Sequence, residues 1–209
     1  FHVKLILCQL VHTMEQNLEV FRTATEYLDR GVCAVDLAGD EASYPASQFT
    51  DLFAEARALG IPFTIHAGEC HSTENVRTSI EMGAKRIGHG IAMKEDPELM
   101  KLAAERDVGI EMCPCSNFQT KAVQEGEEYP LALFWEQGLL VTVNTDNRTV
   151  SQTSETRELK MALELMEASQ KPVEDEKTFC RKLMENSIRT AFLPEEEKER
   201  LRHILGKFS

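Results

Sequence analysis

The sequence predicts an α/β fold built on a parallel sheet. Three observations carry this. Short apolar runs stand at 3–8, 32–37, 62–66, 86–89, 109–113 and 139–144, each rich in Val, Ile and Leu. They are nearly continuous rather than alternating in polarity, as strands covered on both faces are. They recur at roughly 23 to 31 residues, the size of one βα unit, and the segments between them read as helices.

The helical segments carry their own start and stop signals. Thr13 followed by Gln16 forms a capping box. Ser47 precedes a helical stretch to about Leu59, with Gly60 as its stop. Ser72 or Thr73 opens another, which ends near Gly83. Asp96-Pro97 supplies an N-cap and a proline at the first helical position. Pro130 starts a short helix that ends at Gly138. After the sixth apolar run come three longer helices, from Thr153, after Pro172 and from Pro194. There is no Gly/Ser linker and no shift in composition, so residues 1–209 read as a single domain.

Composition limits the function classes. The chain has 23 basic and 35 acidic residues and a formal net charge of −12. Such a chain repels nucleic acid and anionic membrane at long range, so neither is expected as a partner. Apolar residues at 42% and charged residues at 28% describe an ordered globular protein. No apolar run nears the roughly 20 residues that span a bilayer. The opening F-H-V-K-L-I-L-C has no signal-peptide pattern, and it starts on Phe1 directly before a strand, as a chain beginning partway through a larger protein would. Six cysteines occur without a C-x-x-C, and Cys8, Cys33 and Cys113 fall inside apolar runs as small buried hydrophobes. Free thiols in a chain of this size suggest a reducing, cytoplasmic setting.

The choice between a doubly wound sheet and a barrel turns on what is missing and on where the polar residues stand. No G-x-G-x-x-G and no G-x-x-x-x-G-K-[ST] follows any strand, which removes the commonest reason for a doubly wound fold. From the second run onward, each ends in groups that do not belong in a core: Asp36; His66 with Glu69 just after it; His89; Ser116 and Asn117; Asp146 with Asn147. In a barrel these ends share one face, where catalytic residues collect. His66, His89 and Asp146 are of the types that bind zinc or a similar divalent ion. Glu69 is placed to carry a proton beside a metal-activated water. No G-x-S-x-G appears, so a serine nucleophile is not indicated.

A single histidine at a strand end is more often a hydrogen-bonded structural residue than a ligand. Two His, one Glu and two Asp on successive strand ends weigh against that reading. His2, His12, His71 and His203 lack such support and read as surface or structural groups. Asp40 and Glu41 read as a solvated acidic loop, and Trp135, at helical spacing from Leu131, as core.

Five motifs, in order, resemble one family: D-L-A-G-D-E at 36–41, H-A-G-E at 66–69, R-I-G-H-G at 86–90, C-P-x-S-N at 113–117 and N-T-D-N at 144–147. Together they look like the adenosine deaminases, and N-T-D-N-R-T-V-S looks like the bacterial branch. The resemblance implies a (β/α)8 TIM-type barrel with one catalytic zinc. It implies hydrolysis of adenosine, and of 2'-deoxyadenosine, to inosine-type products and ammonia, with a purine nucleoside as the partner molecule. It assigns His66 and Asp146 as zinc ligands, Glu69 as the acid for purine N1 and His89 as the group that orients or deprotonates the attacking water. It also assigns the Gly39 backbone to purine N3 and Asn147, where many relatives have Asp, to N7, with Asp36 in support. Asp146 joins Glu69 and His89 in catalysis by accepting a hydrogen bond from the attacking water. Asn147 can donate an N–H to N7 without a proton of its own.

One departure stands beside the match. The family's first strand carries an H-x-H pair that supplies two further zinc ligands, and no H-x-H occurs in this sequence. The resemblance therefore places the chain's start at the third strand, so that an incomplete barrel of six parallel strands plus C-terminal helices is expected. Two other readings stay open: a deaminase of adenine or another aminopurine, and a non-catalytic fragment serving as a binding or assembly module. The motifs leave the oligomeric state undetermined.

Overall fold

The computed structural model describes residues 3–13, 17–171, 173 and 175–207. Gln16 of the expected capping box and Pro172 lie outside the described residues. The sheet is formed by β1 (Leu5–Leu10), β2 (Val32–Ala38), β3 (Phe63–Ala67), β4 (Arg86–His89), β5 (Gly109–Met112) and β6 (Leu140–Val143). All five pairings are parallel, and the spatial order is the chain order, β1 to β6. A doubly wound sheet reverses its strand order at a switch point. Here there is none, so the sheet is a stretch of barrel wall. Among the described residues β1 and β6 are its two edges.

Helices return the chain after each strand: α1 (Asn17–Tyr27), α2 (Thr50–Ala58), α3 (Thr73–Met82), α4 (Pro97–Glu105), α5 (Pro114–Gln119) and α6 (Leu131–Glu136). Short α7 (Arg148–Ser151) and three longer helices follow β6: α8 (Glu155–Ala168), α9 (Glu176–Thr190) and α10 (Glu195–Gly206). Several ends obey their sequence signals. Ser72 caps Asn75 N–H, Asp96 caps Leu99 N–H, and Gly83 closes α3 with φ 100°. The Ser47 signal does not hold. A 3₁₀ turn, Ala46–Phe49, takes that position and α2 begins at Thr50, because Pro45 already fixes an extended entry.

The core lies between the sheet and these helices. Phe53 of α2 packs on Phe21 and Phe63, with ring centroids 5.8 and 4.6 Å away. Ile65, Ile87, Ile110 and Val141 form one buried row across four strands. Trp135 is half-buried and rests on Phe179 of α9 at 4.7 Å. Cys113 is buried as expected, but Cys8 is exposed and Cys33 half-buried. The reason is position. β1 is an edge among the described residues, so Val3, Leu5 and Leu10 near it are exposed as well. All six cysteines are free, and no helix among the described residues is long and apolar enough to cross a membrane.

Gly109 shows how closely α9 approaches β5. A Cβ there would stand 2.8 Å from Thr190 Cγ2 and 2.9 Å from Thr190 Cβ. Gly109→Ala is expected to destabilise the fold by about 1–3 kcal/mol through overpacking, read from the urea midpoint. An unchanged midpoint would mean that α9 is not seated on β5 in this way.

Candidate active site

Because the strands are all parallel, their C-terminal ends form one face. Asp36 stands near the end of β2, His66 on β3 and His89 at the end of β4. Glu69 follows β3 by two residues and Asp146 follows β6 by three. The structure brings these groups together. The rings of His66 and His89 lie 5.1 Å apart, centroid to centroid, at 62°. Glu69 Oε2 is 3.6 Å from His89 Nε2.

Local backbone makes the arrangement possible. Gly88 sits beside His66 in the β3–β4 register, and a Cβ there would be 3.2 Å from both Cα and Cγ of His66. The missing side chain leaves the space that the His66 ring uses. His89 and Asp146 both have left-handed backbones, φ 66° and 49°. Non-glycine residues in this region cost on the order of 1 kcal/mol and cluster at functional sites.

Each polar group is held by one of its atoms. Asp36 Oδ1 pairs with His66 Nδ1 at 3.1 Å. Nε2 of His66 has no partner among the described residues. Ser116 Oγ donates to Asp146 Oδ2 at 2.7 Å. Tyr129 donates its hydroxyl to Asn117 Oδ1 at 2.9 Å, and Asn117 Nδ2 donates to His89 Nδ1 at 2.9 Å. That network puts the His89 ring proton on Nε2, facing Glu69. Thr120 Oγ1 donates to Glu69 Oε1 at 2.8 Å.

The electrostatics separate the two histidines. Burial disfavours the charged His66 ring, but the charge and hydrogen bond of Asp36, with Glu111 and Asp146 adding, outweigh it and lift the pKa to about 9. Burial pushes His89 down from its ordinary value, and the charge of His66 adds to this against Glu69, Asp146 and Asp36. Burial likewise raises Tyr129 well above its usual range, so its hydroxyl stays a donor.

Gly39 and Asn147 lie on the same face, after β2 and β6, but among the described residues no hydrogen bond joins them to the central group. Gly39 must be glycine: its φ is 128°, and a Cβ would approach Val11 Cγ2 to 2.7 Å. Asn147 caps α7, with Oδ1 accepting from Val150 N–H at 3.0 Å. Its NH2 group has no hydrogen-bond partner among the described residues.

His66 and Asp146 suit zinc by type. The Asp36–His66 pair is the carboxylate–histidine arrangement that fixes a ligand's tautomer and leaves Nε2 for the metal. By number they are two, and no cluster of three or more His, Cys, Asp or Glu that could hold a metal occurs among the described residues. The donors present therefore fit zinc as part of a site, short of the three protein ligands of a catalytic centre.

Several residues escaped the sequence reading. Thr120 carried no signal of its own. Glu41, expected in a solvated acidic loop, is 7% exposed, because its carboxylate turns inward and accepts the backbone N–H groups of Gly68, at 2.8 Å, and Cys70. Asp40 beside it is exposed, as expected. Ser116 and Asn117 were expected at a strand end and stand instead in α5, which begins at Pro114. His12, His71 and His203 are exposed and take no part. A cleft of about 460 Å³ bordered by Lys85, Asp107 and Phe192 opens at the other, N-terminal ends of the strands, where barrel residues serve stability.

Comparison with known proteins gives this geometry its context. The sequence profile described as "Adenosine deaminase" matches residues 1–207. An adenosine deaminase from Enterococcus faecalis is 43% identical over 197 residues, covering 94% of this chain and 56% of the relative. One from Haemophilus ducreyi is 41% identical over 214 residues, covering 100% of this chain and 60% of the relative. The chain thus spans a little over half the length of these relatives. Among solved structures, the apo N6-methyl-AMP deaminase of Arabidopsis thaliana superposes with a TM-score of 0.86 at 24% identity, covering 99% of this chain and 59% of the other. An adenine deaminase from Arthrobacter aurescens gives 0.82 at 24% identity, over 98% of this chain and 61% of the other. At that identity the likeness concerns the fold, which is the TIM-barrel type. The chain belongs to the adenosine deaminase family.

Proposed function

We propose that the protein carrying this chain is a zinc-dependent hydrolase that converts adenosine, and 2'-deoxyadenosine, to the inosine product and ammonia. The observation that supports this most is the contact of Glu69 with His89, each locked from behind by a separate hydrogen bond. In this reading residues 1–209 form one domain, the C-terminal portion of the barrel. Membership of a metal-dependent family and the identity of 41–43% with named adenosine deaminases support it as well.

The reaction adds water across the N1–C6 bond of the purine, with OH on C6 and H on N1, and then expels the amino group as ammonia with the proton of the added hydroxyl, which leaves the C6 carbonyl. Protonated Glu69 donates to N1, which localises the ring double bond and makes C6 electrophilic. His89, neutral and with its proton on Nε2, orients the attacking water by donation. Asp146 accepts a hydrogen bond from that water while Ser116 holds its other oxygen. Gly39 N–H meets N3, and the Asn147 NH2 group donates to N7. His66 and Asp146 would hold zinc, with Asp36 fixing His66. A zinc ion held there would lower the pKa of water toward about 7 and so favour a nucleophile at neutral pH.

Three outcomes test this in the protein at its full encoded length. Glu69→Gln is expected to cut ammonia release by about 10²–10⁴ while bound zinc stays near one per chain. Loss of the metal, or turnover within about tenfold of the parent, would overturn the role of Glu69. His66→Ala is expected to lose zinc, and His89→Ala to keep zinc and lose turnover, by metal analysis and ammonia assay. Asp36→Asn should weaken zinc binding by about 10–100-fold in competition with a chelator. An unchanged affinity would make the His66–Asp36 pair purely structural.

The 209-residue chain by itself presents two donors for zinc. Its purified form is expected to release no ammonia from adenosine at an enzyme-like rate of about 1 s⁻¹ or more. Turnover at that rate would mean that other residues of the chain complete the site.

A further inference from the structure

We propose that Glu41 is a positioning residue whose carboxylate, by holding the backbone N–H groups of Gly68 and Cys70, sets the direction in which Glu69 points. The proposal rests on the reading of Glu69 as the proton donor.

Glu69 is the residue between the two held amides. Gly68 N–H donates to Glu41 Oε2 at 2.8 Å, and Cys70 N–H donates to Oε1. One carboxylate thus grips the Glu69–Cys70 peptide directly after Glu69 and the Ala67–Gly68 peptide one residue before it, and so confines the backbone that orients the Glu69 Cα–Cβ bond. A carboxylate is the group suited to this. It accepts two N–H bonds and has no donor to place against either. Glutamine would turn an N–H toward one amide and break half of the grip.

The grip is anchored on every side. Asn75 of α3 donates Nδ2 to the Glu41 carbonyl at 3.2 Å and accepts from Ala46 N–H at 3.1 Å. Gly68 has φ 80°, its carbonyl accepts from Ala92 N–H at 3.0 Å, and a Cβ on it would reach Val76 Cγ2 at 2.7 Å. The loop therefore lies against α3 and the turn after β4 on one side and against Glu41 on the other. Thr120 then holds Glu69 Oε1 at 2.8 Å, so the other oxygen, Oε2, is the one that faces His89. A buried carboxylate costs stability unless it is fully paired. Glu41 is buried and its two oxygens are taken by backbone amides, which ties that cost to the position of the Glu69 backbone.

Two measurements test it. In the protein at full encoded length, Glu41→Gln is expected to speed amide hydrogen exchange at Gly68 or Cys70 by at least about tenfold, with little change across β3. Unchanged exchange at both amides overturns the grip. In the protein at full encoded length, the same change is expected to lower kcat by about 10–100-fold, as a small misplacement of a reacting group does, with KM within about threefold and zinc content unchanged. Placed in a Glu69→Gln background it should cost less than about threefold, because a residue that acts through Glu69 has nothing left to act on. Equal losses in both backgrounds would show a general structural role and overturn the proposal. If Glu69→Gln alone kept full turnover, the reading of Glu69 would fall and the positioning role with it, while the exchange result would still decide the grip. Should Glu41→Gln not fold, Glu41→Asp, with its shorter reach, is held to the same outcomes.

Discussion

The parallel ladder from β1 to β6 is the constraint on which the rest depends. Every crossover returns the chain to the same end of the sheet, so residues scattered between Asp36 and Asp146 finish on one face. The period of two along a strand does the rest. Ile65 and Ile87 enter the buried apolar row, while Thr64 and His66 take the opposite side. On that side the polar groups come in layers. Below His66, Thr64 donates to Glu111, which pairs with Arg86, and the Arg86 guanidinium lies 4.0 Å over the Phe192 ring. The site thus rests on a paired polar layer, tied to the segment after α9.

That layer explains how an α/β core tolerates so many charges on its inner side. Arg86 and Glu111 are each mostly buried and compensate one another. Removing one partner would leave a buried charge, which costs far more than the pair contributes. The same logic holds at the top of the strands, where Asp36 faces His66. The strained backbones of His89 and Asp146 belong to this economy of position. A left-handed turn at the end of a strand redirects a side chain within one residue, and the cores beneath, Ile87–Ile110 and Val141–Val143, hold it there.

The strand framework was legible in the sequence because its signals are local. Apolar runs of the right length lie within one or two residues of every strand, and Asp96-Pro97 opens α4 and Gly83 closes α3 as capping chemistry requires. The strand-end groups were legible for the same reason: His66, His89 and Asp146 are out of place in apolar runs. What escaped is non-local. Glu41 looks like any acidic loop residue until Gly68 and Cys70, far along the chain, present their amides to it. Thr120 sits 51 residues from Glu69 and has no distinguishing neighbour in sequence. Cys-Pro-Cys-Ser-Asn continued an apolar run and so concealed the start of α5, although Pro114 is itself a helix-start signal. Cys8 lies in an apolar run and yet is exposed, because burial of a strand depends on its neighbours, and β1 has one only on the β2 side among the described residues.

A single rule runs through the side chains of the site: each commits one atom to the scaffold and leaves one toward the open face. His66 gives Nδ1 to Asp36, His89 gives Nδ1 to Asn117, Asp146 gives Oδ2 to Ser116, Glu69 gives Oε1 to Thr120 and Asn147 gives Oδ1 to Val150. The committed atom fixes the rotamer and, for the imidazole and the amide, also which remaining atom donates and which accepts. A group held in this way loses little freedom when a ligand arrives, which is the advantage of a preorganised site. It also makes the supports as specific as the groups they hold. Asp36 could not be exchanged for a donor without turning the His66 ring, nor Asn117 for an acid without moving the His89 proton to Nδ1. The chemistry of the face is therefore written in its second row of residues, which the fold brings up from three different strand ends, those of β2, β5 and β6.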